Sequence, residues 1–442
     1  MSSASAAAEP RSGLRRFVDV RAGEGALIGW ASLYIFALMT AYYVLRPLRD
    51  TMGVEGGIEN LPWLFTATLV VMIALNPLYA ALVKGLPSRR LIPVVYLFFI
   101  VNLGLFGAAS HLAGPEQLVW VGRAFFVWLS VFNLFVVSVF WTLMVDVFDS
   151  GAAKRLFGFL SAAATLGATL GSTIAATLAG ALNASMLMLV AGALLLVAVV
   201  AVARIIRLAR DIPSRSHPDL EKKAIGGGLW AGLIHVARSP YLLNIGLYIL
   251  FFAVLSTFLY FQQAEIAKTA FADRASRVSF FASVDLAVNV LTLFVQLFLT
   301  SWILRVFGTA KAAAFLPLLT LLGFAIFALA PTITALVAFQ VARRVGNFGL
   351  AKPTREVLFT VVSREDKYKA KNVLDTVVYR LGDQVGSWSY AALAGLGPVG
   401  LAVAALPIAA LWLVNGYWLG ARHEKLAAAR RPVEEEDVIV AR

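Results

Sequence analysis

What most constrains this chain is a succession of long apolar runs separated by short polar breaks. One bilayer crossing takes about 20 apolar residues, and membrane strands are excluded because the runs are continuous rather than alternating. Inside lipid a segment must satisfy its own backbone hydrogen bonds, so these runs read as helices. They fall near 26–45, 61–83, 91–111, 117–145, 154–182, 184–207, 240–264, 277–304, 312–330, 332–351, 368–395 and 398–420, twelve in all. The expected fold class is an all-α integral membrane protein with twelve transmembrane helices. Composition agrees: 60% hydrophobic residues against 14% charged excludes an ordinary soluble domain and a disordered chain alike.

Residues 1–25 are small, polar and basic (Arg11, Arg15, Arg16, Arg21). The apolar run that follows is too long for a signal-peptide core and lacks a small-residue cleavage pattern, so it reads as a retained first span. The chain has no cysteine, which excludes disulfides, thiolate metal sites and cysteine nucleophiles. No Walker motif and no H-E-x-x-H pair occurs, so neither an ATPase site, nor a metal centre, nor an enzyme is expected.

The net charge of +13 is best read through topology. With the N-terminus inside, 31 of the 38 Lys and Arg residues fall in the tails and inner loops. Six (Arg46, Arg49, Arg123, Lys268, Arg274, Arg277) fall outside, and Arg380 lies within a span. This bias puts both termini in the cytoplasm, for a protein of the bacterial inner membrane. The excess charge therefore calls for no nucleic-acid partner; membrane lipids are the expected macroscopic surroundings.

The organisation expected is a cytoplasmic tail 1–25, a six-helix bundle 26–207, a polar cytoplasmic linker 208–239, a second six-helix bundle 240–420 and a tail 421–442. The inner 2–3 loop, with Lys84 and Arg89, matches the 8–9 loop, with Arg305. The 4–5 loop, with Asp146, Lys154 and Arg155, is paired with the 10–11 loop ending in Lys371. These seven residues are expected to work as conformational gates. Six plus six helices about a central cytoplasmic loop is the major-facilitator arrangement, in which two halves rock around a midplane site.

Charge at membrane depth is costly, so polar residues inside spans mark cavities or partners. Arg46, Arg49 and Asp50 end span 1; Arg46 and Asp50 are one turn apart if the helix survives Pro47. Arginine suits two-point contact with phosphate or carboxylate, although a helix-end Arg paired with Asp50 accounts for Arg46 equally well. Asn133 in span 4 and Gln262 in span 7 are candidate solute contacts or interhelical hydrogen bonds. Asp285 in span 8 is either a coupling carboxyl or the partner of Arg277 or of a basic residue on another helix. In span 11, Arg380 and Asp383 are i,i+3 and Gln384 follows; a midspan Arg favours a functional role. The Ser/Thr stripe Ser161, Thr165, Thr169, Thr173, Thr177, with Gly167 and Gly171, and the pair Gly382 and Gly386 read as close helix packing.

Several segments are similar to the ATP/ADP translocase family of nucleotide carriers. Tyr43-x-Leu45-Arg46-x-x-Arg49-Asp50 resembles that family's motif at the end of span 1. Phe140-Trp141, Asp146 and Ala153-Lys154-Arg155 resemble a second block. Lys367-x-Lys369-x-Lys371-x-x-Leu374-Asp375-x-Val377-x-x-Arg380-Leu381-Gly382 resembles a third. The resemblance implies antiport of nucleotides and a basic role for Arg49. The chain departs from the family at Asp383, where the family has Lys, and at Leu129 and near Tyr260, where the family has acids.

The expected function is a secondary active transporter moving a small anionic solute, such as a nucleotide or phosphorylated metabolite, by alternating access. Arg46, Arg49, Asn133, Gln262, Arg380 and Gln384 would bind it; Asp50, Asp285 and Asp383 would balance charge or couple a proton. The protein is expected to work as a monomer without a cofactor. The alternatives are a proton-coupled facilitator for another solute, such as a peptide or lipid precursor, and a non-transport scaffold or sensor.

Overall fold

The computed structural model describes residues 24–85, 88–148, 150–210, 234, 236–362, 370–371 and 373–440. Side chains are described there except at 76–85, 88–90, 145–146, 150–155, 210, 376 and 430–440. The expected gate residues Lys84, Arg89, Asp146, Lys154 and Arg155 therefore lie outside the described side chains, as do most of the two tails and the linker. Among the described residues the chain is helical, with no strand.

The helices are α1 (Glu24–Glu55), α2 (Leu61–Gly85), α3 (Ser88–Leu112), α4 (Pro115–Val147), α5 (Ser150–Leu178) and α6 (Ala184–Arg210). They continue with α7 (Pro240–Ala270), α8 (Arg274–Phe294), α9 (Thr300–Leu329), α10 (Ile333–Gly346) and α11 (Lys352–Leu358). The last two are α12 (Tyr379–Leu393) and α13 (Gly397–Val440). Single π turns at Val295–Leu299 and Asn347–Ala351 continue α8 and α10, and a third, Leu374–Val378, leads into α12.

Among the described residues, nine helical stretches are long and apolar enough to cross a membrane. Two of them, Arg274–Leu329 and Tyr379–Ala429, are 56 and 51 residues long. That is more than twice the ~20 residues of one crossing. Each is broken by a glycine in the left-handed region, Gly308 with φ 72° and Gly397 with φ 69°. A side chain at either position would be strained, so these glycines are where the chain can turn back.

Buried apolar side chains form two clusters. One is built from residues between Leu27 and Ile205, with Val278 added. The other runs from Val236 to Leu419 and takes in Val54, Ile58, Leu61, Leu64 and Phe126. The two groups of helices thus share apolar contact at the end of the bundle where α1 finishes.

Within the first group α1 crosses α5 at backbone distance. A Cβ on Gly167 would collide with the Phe36 carbonyl, and one on Gly171 with the Thr40 carbonyl. The second group repeats the device: a Cβ on Gly382 would meet Ala253, and one on Gly386 would meet Thr257 and Val254, so α12 crosses α7 as closely. The hydroxyls of Ser161, Thr165, Thr169, Thr173 and Thr177 each donate to the carbonyl four residues back, at 2.8–3.1 Å. The stripe is thereby satisfied on its own helix. Gly171→Leu is expected to lower stability by about 1–3 kcal/mol, seen as a lower thermal midpoint of the purified protein. Gly192→Ala, where the added Cβ meets open space, is expected to leave the midpoint unchanged or raise it.

Two expectations from the runs need correction. Span 1 does not end near residue 45: α1 continues through Pro47 to Glu55. Proline removes only the amide that would have bonded the Tyr43 carbonyl, and the flanking turns hold. Nor do all the basic residues of 343–371, counted above among the 31 of the tails and inner loops, lie in a loop, because α10, its π turn and α11 are helical through Leu358. Arg343 is only 2% exposed, donating to the Thr320 hydroxyl at 3.2 Å and the Phe252 carbonyl at 3.0 Å.

Candidate functional site

Depth follows from helix geometry. At 1.5 Å per residue, Arg46 lies about 14 Å from the Glu55 end of α1, and Asp285 about 17 Å from the start of α8. Arg344 lies about 17 Å from the start of α10, and Arg380 about 20 Å from the end of α12. All four therefore lie well inside their helices rather than at those ends.

Asp285 is the centre of the main cluster. Its Oδ1 is 3.2 Å from Arg46 Nη1 and 2.6 Å from Arg344 Nη1. One carboxylate from α8 thus joins a cation on α1 to a cation on α10. Asp285 is 2% exposed, and its Oδ2 has no hydrogen-bond partner among the described residues; neither has the buried Nη2 of Arg344. Arg46 also lies over the Tyr43 ring, 5.6 Å from its centroid.

One turn further along α1, Arg49 donates to Asp50 through Nη2 at 2.6 Å and Nε at 3.0 Å. The Tyr260 hydroxyl of α7 donates to the same Asp50 oxygen at 3.0 Å. Arg49 lies 4.9 Å from the centroid of the Phe126 ring. Phe65 of α2 packs against Phe126, Tyr260 and Phe261, closing the aromatic layer on the Glu55 side.

Arg380 pairs with Asp383 on its own helix at 3.2 Å. Gln384, one residue on, accepts from Thr66 of α2 at 2.9 Å, and Trp388 donates to the same hydroxyl at 3.2 Å. Gln262 donates to the Pro398 carbonyl at 3.2 Å, within the second group of helices. Asn133 is half-buried on α4 and is drawn into none of these clusters. The structure therefore brings together Arg46, Arg49, Asp50 and Asp285, adds Arg344 and Tyr260, and leaves Arg380 with Asp383 as a separate pair. Of the expected gate residues with described side chains, Arg305 is exposed just before Gly308, and Lys371 pairs with Glu356 at 2.5 Å.

Further contacts join the two groups of helices, with an ion-pair set at the Glu55 end. Arg274 donates two hydrogen bonds to Glu55 from Nε, at 2.9 and 3.1 Å, and one from Nη2 at 2.5 Å. Arg277 stands 3.8 Å from Glu55. Asn289 donates to Ser172 at 3.2 Å, and Ser279 to the Ala176 carbonyl at 2.9 Å. Asp273, between two of the long apolar stretches, caps α8; hydrogen bonds from Ser276 hold its carboxyl below the usual range.

Three π turns sit beside this machinery, after Asp285, after Arg344 and before Arg380. A π turn misaligns carbonyls that a regular helix would use. Here the Phe348 and Gly349 carbonyls accept from Gln296 and Thr300, joining the π turn after α10 to the π turn after α8.

No family model matches the chain. It is similar to ADP,ATP carrier protein 1 of Chlamydia pneumoniae, with 23% identity covering 92% of each chain. Among solved structures it is similar to the nucleoside transporter NupG, at TM-score 0.58 and 14% identity over 89% of this chain and 98% of that one. A bacterial homologue of the iron transporter ferroportin matches at TM-score 0.61 and 13% identity, over 92% of this chain and all of the other. The chain shares its fold with these transporters. The chain is thus an integral membrane protein whose relatives and structural neighbours are membrane transporters.

Sequence reasoning missed Arg344, Arg343 and Glu55. The signal for the arginines was present: a span beginning at residue 332 carries them about 17 Å into the membrane. Although that span holds them, their charge put them among the 31 basic residues counted in the tails and inner loops. Tyr260 occupies the neighbourhood where the resembled family has an acid, and here it serves as the donor to Asp50.

Proposed function

We propose that this chain is a secondary active transporter moving a small anionic solute, a nucleotide or phosphorylated metabolite, by alternating access of two six-helix halves. The observation that carries this reading is Asp285 held between Arg46 and Arg344. Four arginines (46, 49, 344, 380) pair with three carboxylates (50, 285, 383), and Arg343 is buried beside Arg344 on a hydroxyl and a carbonyl, so cations outnumber carboxylates here. A cationic excess in a low-dielectric site favours an anionic ligand, and paired arginines favour planar oxyanions. The similarity to ADP,ATP carriers points to the same chemistry.

Twelve crossings follow if Gly308 and Gly397 are taken as turns and the 333–358 helix as a crossing. With both termini cytoplasmic, the Glu55 end faces outward. Its ion pairs and aromatic layer then shut the outer side. Arg46, Arg49 and Arg344 hold the anion, while Asp50 and Asp285 take up their charge when the solute leaves.

Purified protein in liposomes is expected to take up at least one of labelled ATP, ADP, inorganic phosphate or a sugar phosphate, saturably and in competition with the unlabelled compound. No movement of any of these, with or without preloading and with or without a pH gradient, overturns the reading.

A further inference from the structure

We infer that the empty carrier resets without a returning solute, so that transport is net rather than obligatory exchange, because Asp285 serves as a built-in counter-ion for Arg46 and Arg344. The inference rests on the anion reading above and assigns the mode of transport at that same site.

Alternating access takes the binding site through a state closed at both ends. In that state a cation with no carboxylate in contact is desolvated alone, and each one raises the barrier to transit. A carrier whose cations have no internal partner must therefore hold an anion to cross, and it exchanges. Here each arginine of the site has a carboxylate on the protein. Arg49 has Asp50, Arg380 has Asp383, and Arg46 and Arg344 share Asp285.

The sharing is what matters. Arg46 belongs to the first group of helices, and Arg344 and Asp285 to the second. One carboxylate therefore neutralises a cation on each side of the surface along which the groups must move. Both arginines reach the same oxygen, Oδ1, while Oδ2 of Asp285 and Nη2 of Arg344 are buried with no partner among the described residues. Arg344 thus keeps a donor free for a solute oxygen. An acidic group on the solute competes with Asp285 for the arginines, and Asp285 reoccupies them when the solute departs.

The test compares two modes in the same liposomes, with the membrane potential clamped so that net anion movement is not self-limiting. Net uptake is measured into vesicles free of solute, and exchange into vesicles preloaded with the unlabelled probe. The probes are labelled ATP, ADP, inorganic phosphate and a sugar phosphate. Wild-type protein is expected to show both modes for the probe it carries. Asp285→Asn is expected to lower the ratio of net uptake to exchange by more than about tenfold, since one further cation is then left bare in transit. Asp285→Glu, which keeps the charge, is expected to hold the ratio near wild type. Residual exchange by Asp285→Asn serves as its own proof of folding. Wild-type exchange without net uptake overturns the inference and leaves the anion reading standing; so does an equal loss of both modes in Asp285→Asn, including complete loss. If wild-type protein moves no probe in either mode, the anion reading falls and takes the inference with it.

Discussion

Arg344→Gln is expected to lower uptake of the anionic solute by about two orders of magnitude while the protein still folds and purifies normally. Truncating one partner of a buried, hydrogen-bonded charge contact costs 2–5 kcal/mol, and each 1.4 kcal/mol is tenfold. Arg344 sits at that kind of contact: its guanidinium is 2.6 Å from Asp285 and mostly buried. Glutamine keeps the volume and some hydrogen bonding but removes the charge. Asp285 then retains Arg46 alone, at 3.2 Å, so the cationic excess of the site falls by one. An anion loses both an attractive arm and part of the surplus that favoured it. Arg344→Lys is expected to fall between, since an ammonium keeps the charge without the planar fork. Uptake within a few-fold of wild type in Arg344→Gln, at an unchanged thermal midpoint, would remove Arg344 from the binding site. A collapse of the midpoint would assign it to structure instead.

Much of the fold was legible in the sequence because lipid leaves few choices. Unbroken apolar runs have to be helices, and short breaks such as Ala330–Thr332 have to be turns. The glycine pairs at 167/171 and 382/386 announced the close crossings that the structure contains. Helix ends were less legible where charge and proline interrupted the pattern. Arg46-Pro47 reads as a terminus, yet α1 runs on to Glu55, because one missing amide does not break a helix packed on most sides. The site was half legible for the same reason. Arg46, Arg49 and Asp285 stood out as charges within or beside apolar runs. Arg344 did not, because it adjoins a basic stretch, and position in sequence cannot separate a charge at the end of a span from one three turns inside it. Which carboxylate meets which arginine depends on helix rotation and crossing, and the periodicity of one chain does not supply that. Asp285 had Arg277 as its nearest basic candidate in sequence, whereas Arg277 turns to the Phe271 and Ala272 carbonyls and stands 3.8 Å from Glu55.

Glu55→Arg is expected to open the Glu55 end of the bundle. There Glu55 accepts both Nε and Nη2 of Arg274 and lies near Arg277, three groups from α1 and α8 that bridge the two groups of helices. An exposed single pair would contribute little, but a two-point contact within a partly buried set is stronger. Reversing the charge replaces that attraction by three mutually repelling cations at the same seam. The opening can be read with one cysteine, because the chain has none of its own. Ser172→Cys is nearly isosteric, and Ser172 is fully buried where α5 meets α8, accepting from Asn289. A thiol reagent reaches it only when that seam parts. Labelling of Ser172→Cys is expected to rise more than about tenfold when Glu55→Arg is added, equivalent to about 1.4 kcal/mol off closure. Glu55→Gln, which removes the attraction without adding repulsion, is expected to give a smaller rise. Unchanged labelling in both would mean that closure is held by apolar contact instead. The groups that could do so are Val54, Ile58, Leu61, Leu64 and Phe126, which are buried in the apolar cluster of the second group of helices. The two accounts then diverge on salt. Closure held by charge weakens as ionic strength rises, whereas closure held by apolar burial does not.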